Sequence, residues 1–199
     1  GSEMCIRDRL GTMKLAAIGY ILPIAFFVTS LILGVSVGTS VVLARQIGAE
    51  EWDSVRRTVS HAVLLGLFLI VTLLLLGILA IDQVLLLQDA PVEIWGMVKD
   101  YLGIWMWSMF PMVLAMIANG AMRAYGDTMA SSLILIIMAL FNAILDPILI
   151  HGWGPVPALG LEGAAWATLG ANVVAALMAL RFLVFRDHLV EWSRPSLRA

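Results

Sequence analysis

The sequence predicts an all-α membrane protein, a polytopic bundle that crosses a lipid bilayer about five times. Of its 199 residues, 61% are hydrophobic and only 13% are charged, whereas soluble domains carry about 25% charged residues. The mean hydropathy is +0.97, and five apolar segments each exceed the roughly 20 residues of helix that a bilayer core requires. No period-two alternation or heptad repeat competes with this interpretation.

The five segments are separated by short joints that are polar or rich in turn residues. Glycines and Pro23 lie inside the first segment, and we expect them to interrupt its helix. Asp127 directly precedes the fourth segment and is a predicted helix N-cap. The predicted spans are residues 15–43, 59–81, 101–122, 129–150 and 163–184.

The two ends of the chain differ in character from this apolar part. Residues 1–9, GSEMCIRDR, are polar and are predicted to be a non-native leader, so they are left out of the fold prediction. Cys5 is the only cysteine, so residues 10–185, the predicted membrane part, contain no disulfide. Residues 186–199 are polar and basic and are predicted to begin a cytoplasmic linker.

The distribution of basic residues predicts the orientation of the bundle. With Arg7 and Arg9 of the predicted leader set aside, joints 45–57 and 123–128 and the tail from residue 181 hold eight arginines, whereas the opposite faces hold only Lys14 and Lys99. Because basic residues favour the cytoplasmic side, these two joints and the tail are predicted to be cytoplasmic in a multi-pass protein of the cell (inner or plasma) membrane. The net charge of −2 gives no indication of nucleic-acid binding, and the bilayer is the predicted surrounding partner.

Asp146 is the only acidic residue well inside a predicted span. An aspartate at a helix centre costs roughly 2.5–3.5 kcal/mol on insertion scales, so Asp146 is expected to face protein or water. Asn142 lies one turn away on the same face, and Pro147 has no N–H to give to the carbonyl of Ala143. A carboxylate, an amide oxygen and a free carbonyl are hard oxygen ligands that suit a proton or a small cation.

A structural interpretation of these polar residues also exists. Asn142 and Asp146 can join helices by hydrogen bonds without any chemistry, although an ionisable residue inside the membrane is functional by default. Asn119 on the third segment and Thr168 on the fifth are each more often structural when taken alone, because threonine bonds back to its own helix and asparagine bridges helices. Their importance depends on whether they meet Asp146.

Three motifs together resemble the multidrug and toxic compound extrusion (MATE) family. They are GVSVGTSVVLARQIGAEEWDSVRR at 34–57, RAYGDT at 123–128 and NAILDPILIHGWGPVPALGLEGAAWAT at 142–168. Their order and spacing match the family, and the resemblance extends from about residue 10 to residue 186. The last motif is quite specific.

The resemblance implies a secondary active antiporter that exchanges H⁺ or Na⁺ for cationic, amphipathic drugs or metabolites. Family members have twelve transmembrane helices in two six-helix lobes. By resemblance, residues 10–185 hold helices two to six of the N-terminal lobe, and helix one, the C-terminal lobe and most of the linker between lobes are the missing partners. No cofactor is implied besides the coupling ion, and the protein is not expected to be an enzyme.

The resemblance also implies a cation site. In the archaeal and DinF-like branch this site uses polar residues whose positions match Asn119, Asn142, Asp146 and Thr168 in this sequence. An aspartate at the position of Asp146 indicates the DinF-like branch. The site's further aspartate lies on helix one of the family, which has no counterpart here.

Three other classes remain as alternatives. A lipid-linked oligosaccharide flippase of the same superfamily is the nearest, but such flippases usually lack the Arg-Ala-x-Gly-Asp turn. An intramembrane enzyme is less favoured because the sequence contains no paired carboxylates, H-E-x-x-H or G-x-S-x-G motif. A structural subunit has no need of an intramembrane aspartate.

Overall fold

The computed structural model describes residues 2–153 and 157–185 and shows an α-helical bundle. Five of its helices are long and apolar enough to cross a membrane. The predicted fold class, an all-α membrane protein, is therefore confirmed. The predicted linker at 186–199 lies outside the described residues. The elements are α1 (Ser2–Gly48), α2 (Trp52–Leu87), a short 3₁₀ helix (Val92–Ile94), α3 (Trp95–Ala124), α4 (Thr128–His151) and α5 (Leu161–Phe185).

The helices are longer than the apolar segments that predict them. α1 begins at Ser2, inside the predicted leader, and continues through Pro23 without a break, so the expected interruption is wrong. A bilayer offers the backbone no other hydrogen-bond partners, which favours a continuous helix despite the one bond that proline removes. α2 extends to Leu87, and the turn that follows is confined to residues 88–91, where Asp89 adopts φ 51°.

Local signals fix the two ends of α4. The side chain of Asp127 accepts a hydrogen bond from the Ala130 N–H at 3.0 Å, which confirms the predicted N-cap. Gly152 ends the helix with φ 78°, a left-handed conformation that glycine adopts at little steric cost. α4 therefore begins and ends where the sequence places a capping carboxylate and a glycine.

Hydroxyl groups join α1 to α3 at two successive turns. Ser36 Oγ donates to the Met116 carbonyl at 2.7 Å, and Ser40 Oγ donates to the Gly120 carbonyl at 3.0 Å. A Cβ on Gly120 would lie 3.1 Å from the Ser36 carbonyl oxygen, so glycine permits this close approach. The two bonds set α1 parallel to α3, with residue 36 level with residue 116.

The outer surface of the bundle is strongly apolar. Large hydrophobic side chains are exposed along α1, α2 and α4, among them Leu15, Phe68, Leu79 and Leu140. In a bilayer such side chains face acyl chains, whereas the backbone polar groups are satisfied within the helices. The arrangement is that of a multi-pass membrane protein.

Gly163→Ala should destabilise the packing of α5 on α4. A methyl group at Gly163 would collide with the backbone of Leu149, and overpacking of this kind costs about 1–3 kcal/mol. We expect a lower melting temperature in detergent, measured by tryptophan fluorescence or calorimetry. Gly103→Ala is the matched control, because a Cβ there meets nothing within 4 Å. Equal melting temperatures for the two variants would contradict this contact.

Candidate cation site

The contact between α4 and α5 determines which polar residues share a level in the membrane. A Cβ on Gly163 would meet the backbone of Leu149, and a Cβ on Gly170 would lie 3.3 Å from Leu145 Cδ1. The two helices are consecutive and antiparallel, so residue numbers rise along one as they fall along the other. Asp146 consequently lies at the level of residues 166–169 of α5, which include Thr168.

Asp146 is the acidic member of this level. Its side chain is partly buried, and its Oδ1 is buried without a hydrogen-bond partner among the described residues. Asn142 is also partly buried and lies one turn before Asp146, on the same face of α4. One helix face therefore presents a carboxylate and a carboxamide toward the bundle, as the sequence predicts.

Thr168 contributes a hydroxyl oxygen whose proton is donated within its own helix. Its Oγ1 donates to the Ala164 carbonyl at 2.9 Å, the back-bonding expected of a threonine within a helix. The oxygen keeps its lone pairs, so it can accept a hydrogen bond or coordinate a cation. The structure thus brings three of the four predicted ligands, Asp146, Asn142 and Thr168, to adjacent levels of two packed helices.

Helices α3 and α5 add polar groups that were not predicted from the sequence. Asn172 of α5 is buried, and its Nδ2 approaches the Ser108 carbonyl of α3 at 3.5 Å. By the α4–α5 contacts, Asn172 lies near the level of Asn142. Tyr101 is partly buried and lies two turns from Ser108 toward the start of α3, the direction in which the level of Asp146 lies.

These additions carried little signal in the sequence. Asn172 stands four residues after Thr168, a spacing that places both on one face of a helix, and this was the available clue. Tyr101 opens an apolar segment and is easily taken for an interfacial aromatic residue. Ser108 takes part through its backbone carbonyl, which no residue type reveals.

Asn119 is the one predicted ligand that lies at a different level. It follows Ser108 by eleven residues on α3, which corresponds to about 16 Å along the helix. It is 3% exposed, and its Oδ1 has no hydrogen-bond partner among the described residues. The structure does not bring Asn119 beside Asp146, and its role as a ligand stays a prediction.

The donor set has a clear chemical character. Asp146 offers one negative charge, whereas Asn142 and Thr168 offer neutral oxygen atoms. One carboxylate balances one monovalent cation, and hard oxygen ligands suit a proton or Na⁺ better than a soft metal. Partial burial strengthens such an interaction, since the surroundings screen charge less than water does.

The MatE family model matches residues 4–148 of the chain. A relative named "FAD transporter" from Shewanella oneidensis is 34% identical over 184 residues, covering 92% of this chain and 41% of the relative. The "Multidrug export protein MepA" of Staphylococcus saprophyticus is 28% identical, covering 92% of this chain and 40% of that protein. This chain thus spans about two fifths of the length of these relatives.

Solved structures agree with the sequence comparisons. A crystal structure of a MATE protein in the bent conformation superposes with a TM-score of 0.84 at 29% identity, covering 96% of this chain and 42% of that one. The helix order and packing described above are therefore those of a known transporter fold. The chain belongs to the MatE family of MATE transporters.

Proposed function

We propose that this chain forms part of a secondary active antiporter, in which entry of H⁺ or Na⁺ drives efflux of amphipathic cationic drugs or metabolites. The observation that carries this proposal is the Oδ1 of Asp146, which has no hydrogen-bond partner within the described part of the chain and lies at the level of Thr168, one turn from Asn142. In this role Asp146 holds the coupling cation and the two neutral residues supply further oxygen ligands. The position of Asp146 on α4 also supports the DinF-like branch.

The coupling rests on differential affinity. A cation can shift the packing of helices only if it binds one arrangement more tightly than the other. An uncompensated carboxylate in a partly buried site is costly, so occupation by a cation changes which arrangement is stable. Helices α4 and α5, which carry Asp146 and Thr168, are the pair whose packing responds.

A flavin nucleotide is a second candidate substrate. The observation that favours it is the 34% identity to the relative named "FAD transporter", which exceeds the 28% identity to the MepA relative. Both candidates require the same kind of antiporter. They differ in the charge of the exported molecule, because FAD is an anion.

A hybrid transporter tests the proposed function. Residues 10–185 replace the matching segment of the Staphylococcus saprophyticus MepA relative, and the product is reconstituted in proteoliposomes. We expect export of ethidium under an imposed proton or sodium gradient, and no export without the gradient. FAD export is measured in the same proteoliposomes. If the hybrid exports FAD and the unaltered MepA relative does not, flavin specificity is assigned to this segment. A hybrid that is inserted and monodisperse but exports neither compound would contradict the proposal.

Cysteine labelling tests the proposed orientation in the inner membrane. With Cys5 replaced by serine, Glu51→Cys and Ala158→Cys place single thiols in exposed turns at opposite ends of the bundle. Because the arginine bias predicts joint 45–57 to be cytoplasmic, an impermeant maleimide applied to intact cells should label only Ala158→Cys. Labelling of Glu51→Cys alone would reverse the topology.

A further inference from the structure

Three buried side-chain oxygens lack a hydrogen-bond partner among the described residues, and all three are acceptors. They are Gln46 Oε1, Asn119 Oδ1 and Asp146 Oδ1. An unsatisfied buried acceptor costs about 1–3 kcal/mol, so three of them in one small bundle require an explanation. Groups of this kind suit contact with water, which can donate a hydrogen bond to them, or with a cation, which they can coordinate.

The three oxygens lie at successive levels of the bundle. Asn119 is about 16 Å from the level of Asn172 and Asn142, toward the end of α3 that meets the 125–127 turn. The serine bonds between α1 and α3 place Gln46 level with residue 126, about 10 Å further in the same direction. The series therefore begins at Asp146 and ends at Gln46, within joint 45–57.

The polar groups of α3 also share one face of that helix. Tyr101, Ser108 and Asn119 are spaced by seven and eleven residues, which correspond to about two and three turns. The face that carries the groups near Asp146 therefore continues down to Asn119. Across from this lower part of α3, Ser36 and Ser40 add hydroxyl oxygens between the levels of Asn142 and Gln46.

The residues around Asn119 supply no partner for its oxygen. Its neighbours along α3 include the buried side chains Ala115 and Ala118, which have no polar atoms to offer. A purely structural asparagine in a membrane bundle bonds to a neighbouring helix, whereas the Oδ1 of Asn119 makes no such bond to any residue that the structure describes. Ionisable residues inside the membrane, such as Asp146, mark ion pathways, and the amide oxygen of Asn119 is a neutral ligand that such a pathway can use.

We propose that Asn119 is the midpoint of a hydrated route that connects Asp146 to the side of the bundle holding joint 45–57. The route takes a monovalent cation, H⁺ carried on water or Na⁺, and its mouth lies at Gln46. It rests on the proposed function, since it assigns Asn119 to the passage of the coupling cation and not to its binding at Asp146. The geometric reason for that assignment is that Asn119 lies about 16 Å from the level of Asn142, and Asp146 lies one turn further away still.

Thiol accessibility tests the route without any transport measurement. In the chain with Cys5→Ser, Asn119→Cys is compared with Ala118→Cys, a neighbour at the same depth that is 1% exposed. A small cationic methanethiosulfonate applied from the joint 45–57 side should modify Asn119→Cys at least tenfold faster than Ala118→Cys. Its anionic counterpart should react more slowly than the cationic one. Equal rates at the two positions, or reaction of Asn119→Cys from the opposite side only, would overturn the route.

A second measurement shows whether Asn119 serves the passage of the cation or binds it as a ligand. It remains available if Asn119→Cys fails to fold. In the hybrid transporter, Asn119→Leu should slow cation-driven export at least tenfold while equilibrium cation affinity changes less than twofold. Asn119→Ser should restore most of the rate. A loss of affinity equal to the loss of rate would make Asn119 a ligand and overturn the route. If Asp146→Asn leaves export unchanged, the cation site fails, whereas the accessibility result still decides the route.

Discussion

Asp146→Asn should abolish ion-driven export by the hybrid transporter, with a loss of at least a hundredfold in rate. The substitution keeps the shape of the side chain and removes the negative charge that Asp146 places at the level of Thr168 and near Asn142. A neutral amide has no charge with which to hold a monovalent cation, so the gradient loses its means of acting on α4 and α5. Membrane insertion should be unaffected, because an amide costs less in a bilayer than a carboxylate does.

Export of ethidium from proteoliposomes under an imposed gradient is the measurement for Asp146→Asn. Asp53→Asn is the control, since Asp53 is an exposed carboxylate in the first turn of α2 and lies far from the candidate site. Size-exclusion chromatography of both variants shows whether each is folded. If Asp146→Asn exports at the unmodified rate with the same ion dependence, the carboxylate is structural and the site assignment is wrong.

The membrane spans were predictable because their signal lies along the chain. An apolar run longer than the bilayer core favours a spanning helix whichever neighbours it has, and all five runs form helices long and apolar enough to cross a membrane. The helix ends were less predictable. The polar residues after Leu43 and the run up to Leu87 continue their helices, since a helix ends at a turn signal and not where hydrophobicity falls.

The site was predictable only within a single helix. The spacing of Asn142 and Asp146 on one face follows from helical periodicity. The level of Thr168 relative to Asp146 depends on how α4 packs on α5, which the contact of Gly163 with Leu149 determines. The separation of Asn119 from that level likewise depends on packing between helices. Distances between helices are therefore the part of the site that spacing along the sequence does not contain.

Thr168→Val should distinguish a sodium site from a proton site. Valine has nearly the shape of threonine but lacks Oγ1, the neutral oxygen at the level of Asp146. Na⁺ needs several oxygen ligands at once, whereas a proton needs one acceptor, which Asp146 supplies. We expect the sodium concentration for half-maximal export to rise about tenfold, equivalent to about 1.4 kcal/mol. Export driven by a proton gradient should change less than twofold.

Thr72→Val is the matched control for Thr168→Val. Thr72 makes the same kind of back-bond, with its Oγ1 donating to the Phe68 carbonyl at 2.9 Å, but it lies on α2 and outside the candidate site. Loss of that bond alone should leave the sodium dependence unchanged, so a shift confined to Thr168→Val isolates the ligand oxygen. Thr168→Ser retains an oxygen and should keep the original sodium dependence. Equal sodium dependence in Thr168→Val and the unmodified hybrid would show that the hydroxyl takes no part in cation binding, because the shape of the side chain is otherwise preserved.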